Sequence, residues 1–76
     1  MTIIDAVAEL RNVTDPALDI DERPYMTTGK NRIVIYMDRL YSVMRTEWEG
    51  RTNIVSEPFA PTNDDIFSGE WEVVEP

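Results

Sequence analysis

The chain of 76 residues contains neither cysteine nor histidine. The first absence excludes a disulfide framework and a thiolate metal site, and the second removes the commonest metal ligand and the usual general base. Nucleophilic chemistry would fall to Ser42, Ser56, Ser68, a threonine or Lys30, none with an obvious base to activate it. The carboxylate pairs Asp64-Asp65, Asp19-x-Asp21 and Glu47-x-Glu49 suit a hard cation, but no loop has the ligand count or glycine placement of a calcium site. The expectation is a non-enzyme with no metal and no other cofactor. Long apolar runs are missing too: nothing approaches the ~20 residues of a membrane span, and the N-terminus lacks the basic region, apolar run and cleavage site of a signal peptide. These absences lead us to expect a soluble, cytoplasmic chain.

Base is scarce and unevenly placed. The net charge is −8, from 15 acids against 7 basic residues. Residues 1–29 and 52–76 each carry six acids, with two arginines in the first segment and no base in the second. Lys30, Arg32, Arg39, Arg45 and Arg51 all lie between, against three acids. An acidic surface of this kind keeps a small protein in solution, and the middle segment additionally offers a cationic patch to an anionic small molecule. Both readings disfavour nucleic acid as a partner, because a basic face against phosphates dominates such affinity. Length points the same way as the missing disulfide. A chain this short buries only about 60% of the surface it exposes when unfolded, so oligomerisation is an expected remedy for its small core.

What is present resolves into elements. Thr2 is a natural N-cap, and Ile3, Ile4, Val7, Ala8 and Leu10 form a stripe at helical spacing, which predicts a helix over residues 2–12. Asn12 to Pro16 breaks it. Leu18 and Ile20 suggest a short strand or turn closed by Pro24, and residues 27–31 read as a loop. Residues 32–48 carry two patterns. Ile33, Tyr36, Met37, Leu40, Tyr41 and Met44 have helical spacing, whereas Ile33-Val-Ile-Tyr36 is a β-branched and aromatic run, with Asp38-Arg39 as a tight turn between two strands. A further strand near Thr52 to Glu57 follows the Glu49-Gly-Arg turn. At the end, Thr62 caps a helix over about Asn63 to Ser68 by accepting from the Asp65 N–H. Pro61 and Ile66 stand at staple positions and Gly69 at a left-handed C-cap. Trp71, Val73 and the flanking Glu70, Glu72 and Glu75 then alternate as a half-buried strand.

That last segment, from Phe59 through Pro61, Thr62, Asp65, Ile66, Phe67, Ser68, Glu70 and Trp71 to Val73 and Val74, resembles the C-terminal signature of very small phage proteins, the Thoeris anti-defence sponges of the second type. The opening, residues 2–11, is similar to that family's N-terminal helix, and Ile35 to Tyr41 resembles its central hairpin. Members usually carry a basic run ending in a Trp-Gly or Gly-Trp element between these parts; here the stretch is Asp19 to Tyr25, with one arginine and no tryptophan. The resemblance favours the hairpin over the helix for residues 32–48. It implies an α+β domain: one N-terminal helix on a small antiparallel sheet of three to five strands, with a short helix before the C-terminal strand. It also implies a function. The chain would act in the host cytoplasm by binding a nucleotide-derived immune signal of the cyclic ADP-ribose type without cleaving it, in pockets between the subunits of a homodimer or homotetramer.

Candidate ligand residues follow from the chemistry of such a molecule. Trp48 and Trp71 offer stacking faces worth about 1–3 kcal/mol per base; Trp71, in an alternating strand, reads first as core, and Trp48, at a loop edge, is the better exposed candidate. Tyr25, Tyr36 and Tyr41 divide between core and site. Arg23, Arg39 and Arg45 can fork onto phosphate oxygens or pair with surface acids. At the second helix, Asp64 and Asp65 occupy the positive end and argue against phosphate there, but with Thr62 they can serve ribose hydroxyls or base amines. The candidate site is therefore Arg23, Tyr25, Arg39, Tyr41, Trp48, Thr62 and Asp65. A competing reading takes the base-free run of residues 52–76 as a DNA-mimic face that binds a host or defence protein.

Overall fold

The first helix, α1 (Ile3–Val13), begins where Thr2 Oγ1 accepts a 3.2 Å hydrogen bond from the Asp5 N–H. Its last backbone bond runs from the Thr14 N–H to the Leu10 carbonyl, which also accepts from the Thr14 hydroxyl; Thr14 itself is in extended backbone, and Pro16 two residues on has no N–H to carry another turn. Its buried side is Ala6 and Leu10, flanked by the partly buried Ile3, Val7 and Val13. Ile4 and Ala8 of the expected stripe are exposed, because the sheet meets the helix along the 3-6-10-13 line. The protein is described here by a computed structural model covering residues 1–75.

Five strands form one antiparallel sheet: β1 (Tyr25–Thr27), β2 (Arg32–Tyr36), β3 (Arg39–Trp48), β4 (Arg51–Pro58) and β5 (Glu72–Val74), in the spatial order β4-β3-β2-β1-β5. The short helix α2 (Asn63–Phe67) precedes β5. The α+β class and its parts are as expected, and residues 32–48 are strands. The β-branched run decides this: Ile33 and Ile35 face α1 while Val34 is 2% exposed on the other face, so both sides of β2 are covered and helical spacing loses its meaning.

Several local expectations are corrected. The β2–β3 turn is Met37-Asp38, one residue before Asp38-Arg39, and both turn residues have positive φ, 51° and 60°. Such primed turns match the twist of the strands they join, which outweighs the cost of left-handed backbone at residues other than glycine. Of the strand or turn expected before Pro24, the chain takes the turn. Leu18 and Ile20 lie in turns, and the strand is Tyr25–Thr27, which recruits Thr27 from the expected loop because β2 and β5 offer it partners on both sides. Gly69 is not a left-handed cap either; α2 closes at Ser68 in extended backbone, whose N–H donates to the Asp64 carbonyl.

The core, Ala6, Leu10, Met26, Ile33, Ile35 and Trp71, lies between α1 and strands β5, β1 and β2. Strand β3 and the edge strand β4 extend past it as a hairpin. Every residue of β4 is exposed, as are Met44 to Trp48 of β3. The radius of gyration, 12.4 Å, exceeds the roughly 11 Å expected for a chain of this length, as a projecting hairpin requires. Among the described residues no helix is long and apolar enough to cross a membrane.

Candidate functional site

On the sheet face opposite α1, the segment between α1 and β1 folds back over β2 and β3. Asp15 starts the return, its Oδ1 accepting from the Ala17 N–H at 2.9 Å, the side-chain turn that a residue before proline favours. Arg23 then fastens it. Its Nε donates to the Leu18 carbonyl at 2.9 Å, Nη1 to Ile35 at 2.8 Å and Nη2 to Pro16 at 2.9 Å, and the guanidinium carbon lies 5.0 Å from the centre of the Tyr36 ring. The side chain is thus a buried charge held by three carbonyls and one aromatic face, an arrangement that suits the planar guanidinium and not an ammonium.

Between this segment and the hairpin lies an open cleft of about 650 Å³, lined by residues 16–21, Arg23, Tyr36, Tyr41 and Ser56. That volume is in the range that takes a small organic ligand. Tyr36 and Tyr41 meet edge to face, with centroids 6.0 Å apart and planes at 76°. They come together because residues 34 and 41 are cross-strand partners, which makes 36 and 41 diagonal neighbours on one face. Asp19 and Asp21 line the cleft, and Arg45 reaches Asp21 at 3.9 Å. The cleft thus combines two aromatic rings, two carboxylates, a hydroxyl and a guanidinium that has already committed three of its five N–H donors.

Of the seven residues expected at a site, the structure brings three together. Arg23 and Tyr41 line the cleft, while Arg23 and Tyr25 line a smaller hollow beside it, where the Arg32 guanidinium carbon lies 4.7 Å from the centre of the Tyr25 ring. Arg39 lies apart in a hollow beside α1, with Val7, Arg11, Ile35, Asp38 and Leu40. Trp48, 71% exposed, is at the tip of the projecting hairpin. Thr62 and Asp65 satisfy each other in a reciprocal cap: Thr62 N–H donates to Asp65 Oδ2 at 2.9 Å, and Asp65 N–H to Thr62 Oγ1 at 3.3 Å. The Asp65 carbonyl also accepts from Trp71 Nε1 at 2.8 Å, so this pair anchors the buried Trp71, which meets Phe59 edge to face. Asp19, Asp21 and Ser56 were not expected in a site. Their types are ordinary on a surface, and only chain return places them beside the tyrosines.

No protein-family model, curated protein or solved structure matches this chain.

Proposed function

We propose that the chain is a phage-encoded anti-defence protein that binds a nucleotide-derived immune signal of the cyclic ADP-ribose type and sequesters it intact. The observation that carries this reading is the cleft, with its Tyr36-Tyr41 pair and adjacent carboxylates. A base stacks on the exposed side of the tyrosine pair, Asp19 accepts from ribose hydroxyls, and Arg45 beside Asp21 meets a phosphate. The similarity of both chain ends to the anti-defence sponges supports the same ligand class. A chain with no histidine and no cysteine suits capture without turnover. The signal is met in the host cytoplasm, and the working form is a homo-oligomer.

A thermal-shift screen against cyclic ADP-ribose isomers, cyclic dinucleotides and plain nucleotides tests it. Ligand at about 100 times its dissociation constant adds roughly 2.7 kcal/mol, a rise on the order of 10 °C or more for a domain of this size. We expect one selective rise with the nucleotide recovered intact. Tyr41→Ala should abolish it and Trp48→Ala should leave it unchanged, because Trp48 stands outside the cleft. No rise across the whole panel would sink the reading in favour of an acidic inhibitor of a host or defence protein, to be sought by pull-down from infected cells.

A further inference from the structure

The outer edge of β4 is the longest exposed strand edge of the sheet, and its hydrogen-bonding pattern can be read residue by residue. Phe59 N–H donates to the Leu40 carbonyl at 3.0 Å, which makes residues 40 and 59 a hydrogen-bonded pair. Such pairs recur at every second position of an antiparallel ladder, here 42–57, 44–55, 46–53 and 48–51. The last of these flanks a two-residue turn, Glu49-Gly50, whose φ values of 50° and 75° fit the primed type that requires such a closing pair. The backbone groups of Arg51, Asn53, Val55 and Glu57 are therefore turned toward β3. Those of Thr52, Ile54 and Ser56 are turned outward, where no other strand lies.

From this edge we infer that β4 pairs with β4 of a second copy of the chain, antiparallel about a two-fold axis at Ile54, to make one continuous ten-stranded sheet. Two independent features select this register, and a third leaves the edge open to pairing. Parity comes first: only the outward-facing residues can bond across the seam, and centring on Ile54 uses all three, pairing Ile54 with its equivalent and Thr52 with Ser56 twice. Charge comes second. The same register sets Arg51 opposite Glu57 at both ends of the seam, in the closely spaced positions where cross-strand ion pairs act, and neither residue has an ion-pair partner within its own chain among the described residues. Third, the edge lacks what keeps strands apart: it has no lysine and no bulge, and its single proline stands at the last position, outside the paired region.

A two-fold axis normal to the sheet keeps equivalent faces on one side. The two clefts, each lined by Ser56 of its own β4, then open on the same face near the seam, and on the other face the exposed Met44 and Val55 of both copies lie together across it. This inference concerns assembly and does not depend on the identity of any ligand.

Sedimentation equilibrium of the ligand-free protein tests it with two charge reversals at exposed positions. Arg51→Glu and Glu57→Arg each place like charges opposite one another at both ends of the seam, so each variant alone should dimerise about tenfold or more weakly than the parent chain. Mixed together they should associate, since every 51–57 contact between the two variants is then oppositely charged, and the double variant should dimerise as the parent does. Unchanged circular dichroism, and unchanged Tm at a dilution where every chain is monomeric, keep folding out of the comparison. A parent chain that remains monomeric at high micromolar concentration overturns the proposal, and so does dimerisation unaffected by either reversal. Loss in both variants without recovery on mixing overturns the register.

Discussion

At the residue scale, two side chains show how tertiary context redefines a residue type. Arg23 reads in sequence as a phosphate fork, and the fold spends three of its donors on the carbonyls of Pro16, Leu18 and Ile35. Arg23→Lys keeps the charge and loses the fork, leaving buried or part-buried carbonyls unpaired. The expected cost is about 2–3 kcal/mol, seen as a lower urea midpoint at unchanged m-value. Met37 is the converse case. It is 78% exposed and held at φ 51° in the β2–β3 turn, so its side chain gains little while its backbone is strained. Met37→Asn replaces it with a residue that tolerates this conformation, and should raise stability by roughly 0.5–1 kcal/mol, a Tm increase of several degrees by calorimetry.

At the element scale, short segments persist here because neighbours complete them. Helix α2 spans Asn63–Phe67, far below the length at which an isolated helix forms, yet it carries a full reciprocal cap and a bond from Trp71. Thr62→Ala should cost about 1 kcal/mol. Because the Asp65 carbonyl holds the indole, the same change should also alter Trp71 fluorescence, whereas an isolated loss of helix propensity would not. The β3–β4 hairpin supplies a second expectation. Amides of Arg51, Asn53, Val55 and Glu57 should exchange slowly at any protein concentration. Those of Thr52, Ile54 and Ser56 should exchange fast in dilute solution and slow down as concentration rises, a pattern that hydrogen exchange by NMR resolves directly.

At the scale of the whole molecule, the core is small and sits to one side. Six buried residues between α1 and three strands hold a sheet whose other two strands project beyond them. Leu10→Ala, at a fully buried position, should cost about 2–5 kcal/mol. That is a large share of what a domain this size has, so thermal unfolding should begin near room temperature. Global charge acts on top of this. The segment from Thr52 onward has no basic residue, and its acids Glu57, Asp64, Glu70, Glu72 and Glu75 are exposed, so the surface repels polyanions while the cleft keeps its own local balance of Asp19, Asp21, Arg23 and Arg45.

Local chemistry was sufficient for much of the fold. The Thr2 and Thr62 caps, the first helix, the strand near Thr52 to Glu57, the Glu49-Gly50 turn and the alternation around Trp71 rest on interactions between residues a few positions apart, which a sequence displays directly. The choice between helix and hairpin for residues 32–48 was different. Their spacing satisfies both periods, and the decision came from covering both faces of β2, with α1 on one side and the returning 15–24 segment on the other. The strand at Tyr25–Thr27 was likewise illegible: three residues become a strand only when β2 and β5 lie on either side. The candidate site was least visible of all. Tyr36 and Tyr41 could be brought together from the hairpin pattern alone, but Asp19, Asp21 and Ser56 reach them only through chain return, and the same return converts Arg23 from a free cation into the fastening of the cleft. Sequence determined which segments could order themselves, because caps, turns and alternation are short-range. Tertiary structure decided which faces were buried and which side chains met, because those depend on contacts between residues far apart in the chain.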